Sequence, residues 1–407
     1  MRIEPQLGPR AFRRRRLLTI GHSYCVDVNR RLADEIARTG EWDVTIAGPA
    51  RFRGDFAVHT MSSADASAPA GSARVALPAI GGRPVHTMVY GWSLRQLLRQ
   101  HWDLVHCWAE PYVASAAQIA AWTPAAVPLV LATFQNIDKR YPPPFSWFER
   151  YVMNRADGLV AFGQTVREVS ARRGFSERRT RVIPAGVDTR LFAPNLAARA
   201  RIRAALRWDD GTPVVGFVGR LVPEKGLELL SRVLDDVRRP WRALFIGSGP
   251  LERQLRSWAA AYGDRVAIVT DVRHHEVPDW LNAMDLLCAP SQTTSRWREQ
   301  FGRMLIEAFA VGLPVIASSS GEMPHVVANA GVVVAESDRT GWRQAIGDLL
   351  DDPSRRGALG AAGRERACTV FDWSVVARQH TRFFTQVIDG TVAVAPWQMR
   401  TPGAVRA

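Results

Sequence analysis

Twelve short apolar runs, each four or five residues long, punctuate the chain, and helix-like stretches lie between several of them. Six runs fall in the first half, at 17–20, 43–47, 103–106, 128–132, 158–161 and 181–184. Six more follow at 214–218, 243–246, 266–269, 285–289, 313–317 and 331–334. Helical patterning covers 28–38 and 114–121 in the first series, and 228–237, 251–261, 301–310 and 342–350 in the second. Strand–helix alternation demands a parallel sheet covered on both faces, because parallel neighbours need a long crossover and crossover helices pack on the sheet. Two such series predict two doubly wound parallel-sheet α/β domains facing a cleft. A chain of 407 residues with 47% hydrophobic content suits two cores better than one. The boundary is placed within 184–213, which carries Pro194 and an Arg/Ala-rich helical stretch. Ligands of such sheets bind beyond the carboxyl ends of the strands, so residues just after each run are the site candidates. The segment 62–82, rich in Ala, Ser, Gly and Pro, reads as a loop.

Charge narrows the class of partner. The net charge is +14, which favours anionic ligands such as nucleotides or lipid headgroups. Of 53 basic residues only Lys139 and Lys225 are lysines. A position that keeps Lys in an Arg-driven composition is a candidate for a compact point charge, although chance retention explains it equally well without further context. The four cysteines, Cys25, Cys107, Cys288 and Cys368, are scattered and form no CxxC pair, so reduced thiols and no metal cluster are expected. No apolar run approaches the roughly 20 residues that span a bilayer.

The stretch from Glu299 to Glu307 carries the most chemistry. The pattern from Phe301 to Val311 is apolar on nearly every side, which places Glu307 within a buried helix. A carboxylate there is costly unless strong donors meet it, and the vicinal hydroxyls of a ribose are such donors. Glu299, just before the helix, can accept from hexose hydroxyls. Between the two carboxylates, the N–H groups near Gly302 and Arg303 start a helix and can receive a diphosphate, with Phe301 alongside. Hydroxyl acceptor, phosphate cradle and hydroxyl acceptor match a nucleoside diphosphate sugar. The competing reading has Glu299 complementing the helix dipole and Glu307 pairing with a structural arginine.

Other strand ends complement this one. After 214–218, Gly219 and Arg220 open a loop that ends at Lys225 and Gly226, and two cations there can hold a diphosphate and stabilise it as it leaves. The alternative is ordinary surface charge. The Walker spacing of a phosphate loop is absent. Gly247 and Gly249 form a turn that admits close approach of a ligand to backbone. The segment 270–273, with Val272 and Arg273, is placed to line a base through its backbone. Ser320, Gly321 and Glu322 again put small residues and a carboxylate at a strand end.

Taken together, Gly219, Arg220, Leu221, Lys225 and Gly226, then Gly247, Gly249 and Pro250, then Ala289, Pro290 and Ser291, then Glu299, Glu307, Ala308, Gly312, Pro314 and Val315, then Gly321, Glu322 and Pro324, resemble retaining glycosyltransferase family 4 (group 1). The resemblance spans about 214–334. It implies the GT-B fold, two Rossmann-like doubly wound domains, with an acceptor-binding domain over 1–192 and a nucleotide-sugar-binding domain over 193–372. It implies a final helix over 373–389 that returns to the N-terminal domain; a poorly ordered tail is expected over 390–407. Glu299 would contact the sugar, Glu307 the ribose, and Arg220 and Lys225 the diphosphate, so that Glu299, Arg220 and Lys225 are the expected catalytic residues. Retention of anomeric configuration without a metal is also implied, with no cofactor beyond the nucleotide-sugar substrate. In the first half, His106 to Tyr112, including Glu110, and Phe134, Gln135 and Asn136 resemble loops that meet acceptor and sugar; His22 and Tyr24 are further acceptor candidates. Gln135 stands where many members of the family carry a histidine that helps bind the sugar, and an amide cannot take up a proton. For His106, a core histidine is an equal reading; Lys139 either binds an anionic acceptor or is simply exposed.

The expected activity is transfer of a hexosyl group from a nucleotide diphosphate sugar to a hydroxyl of a sugar or lipid-linked acceptor, in polysaccharide, glycolipid or cell-envelope assembly. A GT-B sugar-nucleotide epimerase or phosphorylase is the alternative, and a basic surface-binding protein the non-enzyme one. Nucleic acid is not an expected partner, since a base-reading motif and interleaved aromatics are missing. The apolar part of 13–22 is too short for a signal peptide, so a cytoplasmic location is expected. Arg13 to Arg16 and the five arginines within 172–181 offer contact with an anionic membrane at its inner face, or are solvated surface charge.

Overall fold

The computed structural model of the protein describes residues 13–54, 58–64, 68–82 and 84–392. All twelve apolar runs lie in or on strands. The first series forms β1 (Arg15–Ile20), β2 (Trp42–Pro49), β3 (Arg51–Arg53), β4 (Val58–Thr60), β5 (Ser72–Leu77), β6 (Ala79–Ile80), β7 (Val89–Tyr90), β8 (Leu104–Trp108), β9 (Leu129–Thr133), β10 (Gly158–Ala161) and β11 (Thr180–Val182). Seven of these build one sheet in the order β11-β10-β9-β8-β1-β2-β5, while β3–β4 and β6–β7 are separate antiparallel pairs. The second series forms β12 (Val214–Val218), β13 (Arg242–Ile246), β14 (Val266–Val269), β15 (Leu286–Ala289), β16 (Val315–Ser318) and β17 (Val332–Val334). They make a six-stranded sheet in the order β14-β13-β12-β15-β16-β17, with every adjacent pair parallel. Both orders reverse direction at the first strand of their series, as doubly wound sheets do. This is the GT-B architecture.

The segment 62–82 departs from its reading as a loop. Residues 72–77 pair with β2 in parallel register, from Ser72 opposite Val44 to Leu77 opposite Pro49. At this edge one side of the strand needs no further partner, so Ser72, Ala73, Arg74 and Ala76 are tolerated beside Val75 and Leu77 where a central strand would need a continuous apolar run.

Contact density divides the described residues into two compact units. One contains 13–132, 140–159 and 377–392; the other contains 133–139 and 160–376. In the first, Phe384 of the final helix (Trp373–Ile388) lies edge-on to Trp42 at 6.1 Å, and Arg15 donates to Thr385 Oγ1 at 2.6 Å. The expected tail at 390–407 falls outside the described residues from 393 onward.

Two apolar layers enclose the six-stranded sheet. Trp241, Phe245 and Trp342 fill one face. The helix Arg303–Ala310 fills the other with Leu287, Val315 and Ala317, and every residue from Met304 to Ala310 is buried. Fully burying Leu305 and Phe309 contributes about 1.5–3 kcal/mol each, which fixes this helix and the Glu307 it carries. Asp285, just before β15, accepts from Val214 N–H at 2.7 Å and from Arg203 at 2.5 Å, which ties the start of β15 to β12.

Candidate active site

The site follows from strand order. From β12 the chain moves to β13 on one side, while β15 pairs on the other, so the loops after β12 and β15 diverge and leave a crevice at their carboxyl ends. The loop after β12 ends at Lys225 and Gly226. Gly226 has φ +73°, and a Cβ there would stand 1.9 Å from the Pro290 carbonyl oxygen. Only glycine permits this apposition of the two loops.

Across it, Lys225 Nζ lies 2.5 Å from Glu299 Oε2, with side chains 11% and 9% exposed. Ser291 Oγ donates to the same carboxylate oxygen at 3.0 Å. The Trp297 ring lies 5.1 Å from Lys225 Nζ and shields the ammonium on a further side. Glu299 is also held through its backbone: its carbonyl accepts from Asn136 Nδ2 at 2.8 Å and from Glu322 N–H at 3.2 Å. Asn136 is 2% exposed, and its Oδ1 is buried without a hydrogen-bond partner. Lys139 Nζ donates to the Arg296 carbonyl at 3.0 Å and so braces this same loop, a contact that neither of its two readings contained.

Gly302, at φ +82°, precedes the helix Arg303–Ala310, which begins with no side-chain cap and no acidic residue in its first turn. Its N-terminus therefore presents partial positive charge one turn from Glu307. Phe301 turns its side chain into the core, 6.1 Å from Phe371 and edge-on, so it offers a ligand only backbone; Arg303 is half-buried at the first turn. Glu307 is 7% exposed and meets His274, whose Nε2 lies 3.2 Å from Oε1. The rival pairing of Glu307 with a structural arginine is not what the structure holds.

The remaining candidates in this unit divide. Arg220 is 42% exposed and lies 3.7 Å from Glu224. Gly219 and Gly249 lie where the ends of β12 and β13 meet: Gly219 N–H donates to Ile246, and Leu221 N–H to Ser248. Gly247 belongs to the same turn and passes against the Gly219 backbone. Val272 is half-buried in the loop after β14. Arg273 pairs with Glu276 beside it, its guanidinium at 2.6 Å and its N–H on the same carboxylate at 2.9 Å. Those bonds hold the Glu276 carboxyl down at about 2. Glu322 is 2% exposed and caps the helix Gln164–Arg172, accepting from the N–H groups of Gln164 and Thr165 and from Thr165 Oγ1 at 2.6–2.9 Å.

Among the first-half candidates, Tyr24 and His106 belong to a closed core chain. Tyr24 OH lies 2.5 Å from Thr19 Oγ1, which lies 2.9 Å from His106 Nδ1. Burial, with His380 nearby, pushes His106 down to about 3, and its Nε2 is buried without a hydrogen-bond partner. His22 stacks obliquely on Phe52 at 5.1 Å; burial lowers it to about 4, and its Nδ1 has no partner. Glu110 is half-buried beyond β8, and its carbonyl accepts from Val113 N–H. Gln135 donates from Nε2 to the Ile137 carbonyl at 2.8 Å, which turns its amide into its own loop.

The arginine runs are engaged locally. Arg13 and Arg14 pair with Asp103 and Asp43, and Arg16 lies over the Trp102 ring. Arg172 and Arg173 pair with Asp138. A different surface stands out instead: the helix Phe145–Arg155 exposes Trp147 (64%) and Tyr151 (47%) around Arg150. The contacts of His274 with Glu307, of Trp297 with Lys225 and of Lys139 with the Arg296 carbonyl are features of the site that sequence reasoning missed. The adjacent histidines at 274 and 275, in the loop beyond the strand that ends at Val269, were the available signal for the first.

Two family models match the chain: the one described as Glycosyltransferase Family 4 over residues 28–191 and the one described as Glycosyl transferases group 1 over 198–366. The chain is similar to a GDP-mannose-dependent monoacylated alpha-(1-6)-phosphatidylinositol monomannoside mannosyltransferase of Corynebacterium glutamicum, 34% identical over 49% of this chain and 54% of the relative. It is also similar to a D-inositol 3-phosphate glycosyltransferase of Xylanimonas cellulosilytica, 33% identical over 56% of this chain and 57% of the relative. It thus spans little more than half the length of these relatives. Among solved structures, sucrose-phosphate synthase from Thermosynechococcus elongatus shares the fold with a TM-score of 0.70 and 22% identity, over 93% of this chain and 100% of that one.

Proposed function

The chain belongs to glycosyltransferase family 4 (group 1), and from that premise we propose that it transfers a hexosyl group from a nucleoside diphosphate sugar to an acceptor hydroxyl with retention of configuration. The observation that carries this reading is the buried Lys225–Glu299 pair at the strand-order reversal, one helix start away from the buried Glu307.

The roles follow from the chemistry of each group. Glu307 accepts from the ribose hydroxyls. The start of the helix at Gly302, with Arg220 and Lys225, receives the diphosphate and stabilises the charge that develops on it as it leaves. Glu299 orients the hexose through its hydroxyls, and Asn136 Oδ1 accepts from the sugar or a bound water. The acceptor hydroxyl attacks the anomeric carbon from the face that the diphosphate leaves, and the leaving phosphate takes the proton. Catalysis then consists of positioning and leaving-group stabilisation. Arg220 and Lys225 supply the positive charge, so turnover is proposed to need no metal.

GDP-mannose is the first sugar donor to test, because the Corynebacterium relative is GDP-mannose-dependent. Inositol-bearing acceptors come first for the same reason, since both relatives are named for such compounds. A lipid-linked acceptor goes with peripheral contact at the inner face of an anionic membrane, and Trp147, Tyr151 and Arg150 support that reading better than the paired arginine runs. No helix among the described residues is long and apolar enough to cross a membrane. The direct test is incubation with an α-linked nucleotide sugar and acceptor in the presence of a chelator, with the product read by NMR. An α-linked product is expected; a β-linked product, or a rate abolished by the chelator, contradicts the mechanism.

A further inference from the structure

Glu307 has two carboxylate oxygens, and the structure treats them differently. Oε1 is met by His274 Nε2 at 3.2 Å, while Oε2 takes no hydrogen bond among the described residues. His274 is not free to wander. It opens a short helical turn, His274–Glu276, whose start is held because Arg273 donates from its N–H and guanidinium to the Glu276 carboxylate while Glu276 N–H donates to the Arg273 carbonyl. On another side its ring meets Phe192, with centroids 5.4 Å apart, and Phe192 is 1% exposed. The imidazole itself is 44% exposed, while the Glu307 side chain beneath it is 10% exposed. A half-exposed ring therefore sits on a buried carboxylate that has one oxygen to spare.

We propose that His274 is a positioning residue for the nucleoside of the sugar donor: by donating from Nε2 to Glu307 Oε1, it turns Oε2 toward the vicinal hydroxyls of the ribose. This rests on the reading of Glu307 as the ribose acceptor. The chemistry favours a fixed rotamer. The carboxylate of a Glu rotates broadly about its last torsion, and a bidentate contact with two vicinal hydroxyls needs that torsion settled before the ligand arrives. Arg273 does not compete for the carboxylate, because Glu276 already engages its guanidinium and its N–H. Apart from His274, no basic side chain contacts Glu307 among the described residues.

The test is a comparison of ribose with dideoxyribose on three proteins. Binding of GDP and UDP, and of their 2′,3′-dideoxy counterparts, is measured by titration calorimetry on wild type, H274A and H274Q. A hydrogen bond to a charged group contributes about 1.5–3 kcal/mol, so wild type should prefer the ribose form roughly tenfold or more. H274A should erase most of that preference, weakening the ribose form about tenfold while the dideoxy form changes less than about twofold. H274Q, whose amide still donates to Oε1, should restore it. A merely structural role would weaken both forms equally in H274A, and that result overturns the proposal, as does full ribose preference in H274A. If wild type binds the ribose and dideoxy forms equally, the Glu307 reading fails and this inference with it. If wild type binds neither GDP nor UDP nor, in the same titration, ADP, the donor reading itself fails.

Discussion

Lys225 Nζ and Glu299 Oε2 stand 2.5 Å apart, and about nine-tenths of each side chain is withdrawn from water. Two loops that are 74 positions apart in sequence meet through this pair. The ammonium proposed to receive a leaving diphosphate is thus fixed by the carboxylate proposed to hold the sugar, and the site is organised around one electrostatic contact.

Removing one partner of a buried ion pair strands the other charge, whereas removing both need not destabilise. K225A should therefore lower stability by about 3–5 kcal/mol in urea denaturation. The double variant K225M/E299L should recover most of that loss and still lack transfer activity. A double variant as unstable as K225A would show that the pair itself, beyond its desolvation, holds the loops.

The buried histidines set an acid limit on the fold. His106 is held down to about 3 and His22 to about 4, both by burial, below an unfolded value near 6.5. The unfolded chain therefore binds more protons than the native one between those values. Stability should fall as pH drops from about 6.5 toward 3, and be constant in this respect above 6.5. Replacing His106 by Gln should flatten the slope of unfolding free energy against pH by up to about 1.4 kcal/mol per unit in that window. An unchanged slope would mean that His106 is protonated in the native protein.

Membrane contact can be read directly from Trp147 and Tyr151, both more than 45% exposed on a helix that also presents Arg150. W147S/Y151S should weaken sedimentation with anionic phospholipid vesicles roughly tenfold, or about 1.4 kcal/mol. R150E should remove the preference for anionic over neutral vesicles. Equal partitioning of wild type onto both vesicle types would refute the proposed surface.

Much of this architecture was legible because its signals are local. The twelve apolar runs needed no partner to be recognised as strands. Glu299, Glu307 and Lys225 stood out because a carboxylate in an apolar helix and a lysine among arginines are each anomalous within a few residues. The contacts that organise them were not legible. Asn136 reaches the Glu299 carbonyl from 163 positions away, and His274 reaches Glu307 across 33. No periodicity encodes such meetings; they come from which loops the sheet order brings together. The strand at 72–77 was hidden for a different reason, since an edge position tolerates the Ala, Arg and Ser that elsewhere spell a loop.

The central claim is that this crevice holds a nucleotide sugar whose diphosphate leaves only when an acceptor hydroxyl arrives. Its most direct test is release of nucleoside diphosphate from GDP-mannose, UDP-glucose and ADP-glucose, with and without an inositol-bearing or lipid-linked acceptor, for wild type, K225A and E307Q. The account predicts acceptor-dependent release from one of these donors by wild type, a loss of at least about a hundredfold in K225A, and at least about a tenfold loss of kcat/KM in E307Q. Release at the same rate without acceptor, or full activity in K225A or E307Q, would contradict it.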